Sequence, residues 1–298
     1  MWFKNLQIYR LPSGWSLSAG ALEEKLSARP LQPCTGLNLQ SRGWVPASED
    51  GQWVYAQGRQ MLVAMGIEQK LLPGAVVRQA AEERAQQYER LKGFKPGRKM
   101  MREIKDQVTA ELLPRAFVRQ RTLRAWLDPV GGWAVVDASS PGRAEELIEL
   151  LRDTLGEFAA VPVDAEQAPS AALTAWLASG NPPGRFTLDD ECELCGTDVS
   201  KPTVRYVRHA LEGEEGLRRH IADGKFATRV ALTWNERLSL VVTEKLQVKK
   251  LKFLVVREGD DQTAQNPQEQ FDLDFALMSG ELGEMLKDLG QALRFKAE

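Results

Sequence analysis

Apolar and polar positions change period repeatedly along this 298-residue chain. Residues 2–11 alternate loosely around Phe3, Leu6, Ile8 and Leu11, which predicts a strand. Leu22 and Leu26 then fall four apart before Pro30, the mark of a short helix over 18–28. Two strands are expected at 52–57 and 61–67, joined by "QGRQ". The run 74–92 is rich in strong helix formers, and "GFKPGRK" breaks it. A second helix over 98–113 carries Met101, Ile104, Val108 and Leu112 on one stripe, and Pro114 ends it. Residues 115–127 read as a strand that turns through "DPVGG" into "WAVVD". A helix at 141–155 completes a β-β-α unit, and the short helix "SAALTAWLASG" leads into the break "GNPPGR".

Beyond that break the pattern predicts strands near 186–194 and 203–209, a charged helix near 212–222, and strands near 226–235, 237–243 and 247–256. A polar loop, "REGDDQTAQNPQEQ", precedes an expected last strand at 271–277 and a helix from Ser279. Strands cluster between helices and do not alternate with them, so the class is α+β, mostly antiparallel sheets with flanking helices. Four subdomains are expected in one continuous chain: 1–73, a helical basic segment 74–113, the β-β-α unit 114–180, and 181–298.

Composition adds little: 43% hydrophobic and 27% charged residues describe an ordinary globular chain. Apolar runs such as "LSLVV" are too short to span a bilayer, and the N-terminus lacks signal-peptide character, so a cytoplasmic protein with no membrane contact is expected. Charge changes the picture more. The formal net charge of −2 conceals ten basic residues against three acidic ones between Lys92 and Ala125, and four against ten from Arg257 to Glu298. A basic block of this kind suits sequence-independent phosphate binding, and it equally suits a solvated face.

Within the block, "ELLPRAFVRQRTLRAW" has four arginines between Arg115 and Arg124. An extended strand there would put Arg115, Phe117, Arg119 and Arg121 on one face, where the arginines repel unless an anion lies across them. Lys95, Arg98 and Lys99 precede them in the same block. Further candidate phosphate contacts are Lys225 and Arg229 in "DGKFATR", and Lys249, Lys250 and Lys252 in "VKKLKF". Phe117 has three readings: core packing, contact with a second subunit, or a wedge between bases.

Enzymatic motifs are thin. "CELC" places Cys192 and Cys195 at the spacing of half a zinc site, with His209 and His220 downstream, but there is no second such pair. No phosphate-cradling loop, dinucleotide fingerprint or HExxH occurs, and two histidines supply a hydrolase poorly. No catalytic residue, metal, cofactor or small-molecule substrate is expected.

Seven stretches in order, "MWFKNLQIYRL", "GWVP", "EQKLLP", "LLPRAF", "GKFATRVALTW", "VKKLKF" and "DFALMSGEL", resemble the bacterial recombination-associated RdgC family from residue 1 to the last helix. The resemblance implies a ring-shaped homodimer of α+β chains that encloses double-stranded DNA with little sequence preference, without catalysis or cofactor. It also implies a nucleoid-associated role in limiting RecA-promoted strand exchange and supporting replication. Arg115 and Phe117 match "LLPRAF", whose phenylalanine the family links to subunit contact. Lys225 matches the "GK" motif, and His209 falls near a second, more polar contact. The alternative is an interaction module that binds an acidic partner, such as RecA, through the same arginines.

Overall fold

The computed structural model describes residues 2–254 and 266–296. It is an α+β fold of twelve strands and seven helices among those residues, and the strand pairs whose register is resolved are antiparallel. The chain divides into two compact units, one of residues 1–25, 46–63 and 124–298, the other of 26–45 and 64–123.

The larger unit is organised by β1 (Leu6–Arg10), β6 (Trp133–Asp137), β8 (Phe186–Cys195), β9 (Thr203–Val207), β10 (Phe226–Trp234), β11 (Leu238–Thr243) and β12 (Val248–Phe253). Their order across the sheet is β6-β1-β12-β11-β10-β8-β9. The N-terminal strand is therefore interior, with Leu6 opposite both Val248 and Asp137. A strand paired on both edges is buried through most of its length, which accounts for the nearly continuous burial of "LQIYR". Helices α4 (Pro141–Leu155) and α5 (Pro169–Ser179) bury Leu147, Ile148, Leu151 and Leu173, Trp176, Leu177 respectively. Thr174 of α5 accepts a 2.8 Å bond from the Ala227 N–H of β10. The short α6 (Glu215–Ala222) carries the charged segment expected near 212–222.

One expectation fails in this unit. Residues 271–277 are not a strand: they belong to a single helix, α7 (Pro267–Ala292). Phe271, Leu273, Phe275 and Leu277 alternate like a strand, yet only Phe275 of the four is buried. The buried set Phe275, Met278, Leu282, Met285, Leu286 and Leu289 follows the helical period. Asn266 caps the helix by accepting from the Glu269 N–H at 2.9 Å, with Pro267 in the first turn. Most of the expected polar loop, and the end of the strand placed at 247–256, lie outside the described residues. Asp288 on α7 accepts from the Trp234 indole at 2.9 Å and from Arg185 at 2.6 Å, tying the helix to β10.

The smaller unit contains β2 (Gln40–Val45), the later part of β4 (Gln60–Leu71), and the first part of β5 (Phe117–Asp128), in the order β2-β4-β5. Both β4 and β5 continue into the larger unit, where β3 (Val54–Gln57) pairs the start of β4 and Ala125–Asp128 pair β6. The sequence pattern missed β2, because "QSRGWV" has no alternation. Its Gly43 is dictated by a distant contact: an added Cβ would collide with the backbone of Pro30 and Leu31. Those residues run alongside β2, with the Leu31 N–H bonded to the Trp44 carbonyl at 2.8 Å. Gly43→Ala is therefore expected to lower the unfolding free energy by about 1–3 kcal/mol in urea titrations. Gly20→Ala, in α1 (Ala19–Ser27) with open space around its Cβ, is expected to be neutral or stabilising by up to about 1 kcal/mol.

Two helices of this unit, α2 (Gly74–Lys92) and α3 (Arg98–Leu112), pack against each other as a hairpin. Its fully buried residues are Ala81, Ile104 and Val108, with Val77, Met101 and Leu112 packed around them. Gly93 ends α2 in the left-handed conformation at φ 81°, its N–H bonded to the Glu89 carbonyl. Arg84 holds Glu111 in a two-pronged ion pair at 2.7 and 2.9 Å that links the two helices.

Candidate nucleic-acid interface

The basic block identified in the sequence falls on the helical hairpin and the first half of β5, all in the smaller unit. Lys95 lies in the loop between the helices, and Arg98 and Lys99 open α3. All three are exposed and have no ion-pair partner among the described residues. Their placement opposes local electrostatics, because the N-terminal end of a helix carries partial positive charge. No acidic residue occupies that first turn to offset them. Arg102 and Lys105 continue the unpaired charge along α3.

The strand face differs from its sequence reading at one end. Arg115 is not on the strand: Leu113–Arg115 form a 3₁₀ turn, closed by a 3.2 Å bond from the Ala116 N–H to the Leu113 carbonyl. Pro114 in that turn delays the extended conformation to Phe117, so Arg115 leaves the alternation that would have aligned it with Arg119. Arg115 is exposed near Glu111, but Arg84 already binds both oxygens of that carboxylate. The bond from Arg84, with the charge of Arg115 adding to it, holds the Glu111 carboxyl below its ordinary pKa.

Phe117, Arg119 and Arg121 remain two apart on β5. Arg119 is exposed and has no partner among the described residues. Arg121 is half-buried and donates to the Gln69 side-chain carbonyl, while its Nε finds no partner. Gln69 is neutral, so the Arg121 charge is oriented without being cancelled. From the other face of the strand Gln120 donates to Glu68 at 2.9 Å, and Glu68 also accepts from the Cys34 N–H at 2.7 Å. Phe117 is 85% exposed, which excludes the core-packing reading within this chain.

The candidates of the larger unit stand in different surroundings. Lys225 is half-buried with its ammonium 3.3 Å from His220 Nδ1. Arg229 lies 3.6 Å from Glu193, and Lys250 binds Glu191. Lys249 is half-buried without an ion-pair partner among the described residues, whereas Lys252 is exposed. His209 Nε2 is 2.9 Å from Glu214 and its ring lies against Tyr206 at 5.6 Å between centroids. Of the five larger-unit candidates, Arg229 and Lys250 face carboxylates, whereas those of the smaller unit have no ion-pair partner among the described residues.

Glu193 is the centre of one such group, bound by Arg205 and Thr228 and faced by Arg229. Burial pushes its carboxyl up, but the bonds from Arg205 and Thr228 and the Arg229 charge outweigh that and hold its pKa below the ordinary 4.5. A depressed carboxyl contributes stability above its unfolded pKa and loses it as pH falls through the folded value. Unfolding free energy should therefore decline as pH drops below 4.5, and Glu193→Gln should flatten that decline in urea titrations run across acid pH. An unchanged pH profile in the variant would remove Glu193 from this role.

Cys192 and Cys195 sit three apart on β8; the first is buried, and burial pushes its thiol up to about 12. His209 and His220 are engaged elsewhere, and no group of three or more His, Cys, Asp or Glu side chains among the described residues could hold a metal ion. No helix among them is long and apolar enough to cross a membrane. Sequence reasoning overlooked two apolar side chains at the hairpin tip, Leu91 at 84% and Phe94 at 60% exposure. Their signal was the placement of apolar residues inside the basic run "LKGFKPGRK".

The chain matches the family model described as "Putative exonuclease, RdgC" over residues 1–296. It is 48% identical to the recombination-associated protein RdgC of Janthinobacterium sp. (strain Marseille) over 299 residues, covering 100% of this chain and 99% of the relative. The protein of that name from Dechloromonas aromatica (strain RCB) is 46% identical, with 98% and 97% covered. That of Burkholderia ambifaria (strain MC40-6) is 46% identical, with 97% and 94% covered. With a family model spanning the chain and relatives this similar along nearly their whole length, the protein belongs to the RdgC family of recombination-associated proteins.

Proposed function

We propose that the protein binds double-stranded DNA through its phosphates, without base readout and without catalysis. The observation that carries this reading is the set of exposed cations on the helical hairpin and β5, Lys95, Arg98, Lys99 and Arg119, that no carboxylate among the described residues neutralises. A chain with net charge −2 has acids available, and in the larger unit some of them pair arginines and lysines such as Arg205, Arg229 and Lys250. Leaving the smaller unit's cations unpaired, two of them at a helix N-terminus, costs stability that a polyanion would restore.

The functional assembly in this reading is a homodimeric ring around the duplex, held in part by Phe117, with His209 near a second contact. By occupying duplex DNA on the nucleoid it limits RecA-dependent strand exchange. The names of the relatives place them in recombination, which supports this reading over the exonuclease of the family description. The discriminating experiment is binding of unrelated duplexes over a range of salt, alongside incubation of end-labelled duplex with Mg²⁺ or Mn²⁺. Steeply salt-dependent, sequence-indifferent binding with the duplex left intact is expected. Shortening of the labelled strand, abolished by no contaminant control, would replace the reading with a nuclease.

A second reading, an acidic protein partner such as RecA bound through the same cations, is separated by competition. Duplex DNA that fails to displace RecA from the protein would favour it.

A further inference from the structure

We propose that the tip of the α2–α3 hairpin is an apolar wedge that enters a base step of bound duplex DNA and kinks the double helix there. The inference rests on the duplex-binding reading above and adds what the tip does to the DNA it meets.

The tip carries an apolar head inside a cationic collar. Leu91, in the last turn of α2, and Phe94, in the loop after it, are both exposed. Further down the hairpin the apolar side chains instead pack around Ala81, Ile104 and Val108. Single exposed apolar residues are ordinary, but these two stand three apart where the hairpin turns. Around them the stretch 90–102 holds Arg90, Lys92, Lys95, Arg98, Lys99 and Arg102, and no Asp or Glu. None of those cations has an ion-pair partner among the described residues.

The head is set before any ligand arrives. Gly93 leaves α2 at φ 81°, with its N–H bonded to the Glu89 carbonyl at 2.8 Å, so the chain reverses within residues 93–97. Pro96 fixes its own φ inside that loop. The Phe94 ring stands edge-on against Tyr88, with 5.9 Å between centroids and 83° between planes. A ring steadied in this way loses less rotamer freedom on insertion than a free one.

Charge and shape select the occupant. A second copy seated head to head would bring two cationic collars together, and like charges across an interface repel. A lipid surface holds an inserted element in proportion to its buried apolar area, and two side chains supply little of that. A single strand would stack on Phe94, but Leu91 offers no π-face and would stand idle. A base step of duplex DNA uses both, because aliphatic and aromatic side chains alike serve as wedges. The collar then meets the phosphates beside the entered step, and those contacts offset the cost of unstacking. That cost is least where the duplex already deforms easily, at pyrimidine–purine steps and mismatched pairs. Preference for such sites follows without any contact that reads a base edge.

The test uses the full-length protein and the double variant Leu91→Ser/Phe94→Ser, which leaves every cation in place. Both side chains are exposed, so the fold should tolerate the change, as thermal unfolding would check. Short duplexes carry 2-aminopurine, whose fluorescence rises on unstacking, at a central TA step, and a dye pair at their ends reports bending. Binding of the unchanged chain is expected to raise the 2-aminopurine signal and shorten the end-to-end distance. It should also favour a duplex with one mismatched pair by about tenfold. The double variant should lose all three effects while the slope of log affinity against log salt stays as it was. Phe94→Leu, which keeps the head apolar, should retain them. Duplex bound with an unchanged 2-aminopurine signal overturns the wedge and leaves the proposed function standing, whereas failure to bind duplex at all removes both. A double variant that kinks DNA as the unchanged chain does also overturns it. So does a double variant whose free form sediments differently, which assigns the pair to a second copy. Loss confined to binding of phosphatidylserine vesicles overturns it in favour of a lipid surface.

Discussion

Replacing Lys95, Arg98 and Lys99 together by glutamine is expected to lower affinity for duplex DNA by about two to three orders of magnitude at about 0.1 M salt. The reasoning is counterion release: each neutralised phosphate contributes about −0.9 to the slope of log affinity against log salt concentration. If all three side chains meet phosphates, the slope becomes shallower by about 2.7. Fluorescence anisotropy titrations at several salt concentrations would read both quantities. The same substitutions should not weaken the fold, because they remove two uncompensated charges from the positive end of α3. A small gain in thermal stability accompanying a large loss of affinity would identify these cations as placed for a ligand. An unchanged slope would show that the hairpin does not touch the phosphates. Replacing Lys250 or Arg229, each facing a carboxylate, should have the smaller effect.

How far the sequence revealed this surface depends on which kind of interaction decides each position. The hairpin was legible because α2 and α3 are composed of strong helix formers and broken by a glycine that takes φ 81°. The meander of β10, β11 and β12 was legible for a similar reason, since clear apolar runs alternate with turn residues. By contrast β2 depends on the approach of Pro30 and Leu31 to Gly43, a contact between segments that no local periodicity encodes. The strand expected at 271–277 failed because Phe-Leu-Phe-Leu alternation and a helical stripe share residues there. The Asn266–Pro267 start signal, followed by Glu269, was the local feature that could have decided it.

The charge block shows the same division. Its existence is plain in the sequence, but which cations are spent on carboxylates is not. Arg84 takes Glu111 from 27 residues away, and Lys250 takes Glu191 from 59 away. Both pairings depend on tertiary structure, and both changed the standing of residues near them. Arg115 shifted for a local reason instead: Pro114 extends the end of α3 into a 3₁₀ turn, so the strand face begins two residues later than the spacing suggested.

If the chain forms the proposed homodimer through Phe117, Phe117→Ser is expected to convert it from dimer to monomer. Phe117 is 85% exposed in the single chain, so removing its ring takes little from the monomer's own packing. Surface changes of this kind normally alter folding stability by less than about 0.5 kcal/mol. A large aromatic ring at the centre of a subunit interface, however, typically contributes about 2–4 kcal/mol, which weakens association about thirtyfold to a thousandfold. Sedimentation equilibrium over a concentration series would measure the dissociation constant, and urea titration at high dilution would measure the fold. These two readouts, together with a measurement of DNA bending, separate the possibilities that sequence left open. A core residue would lose stability in both states, a base wedge would lose DNA bending with the dimer intact, and an interface residue would lose the dimer alone. A dissociation constant unchanged by the substitution would remove Phe117 from the subunit contact and leave its exposure to be explained by DNA.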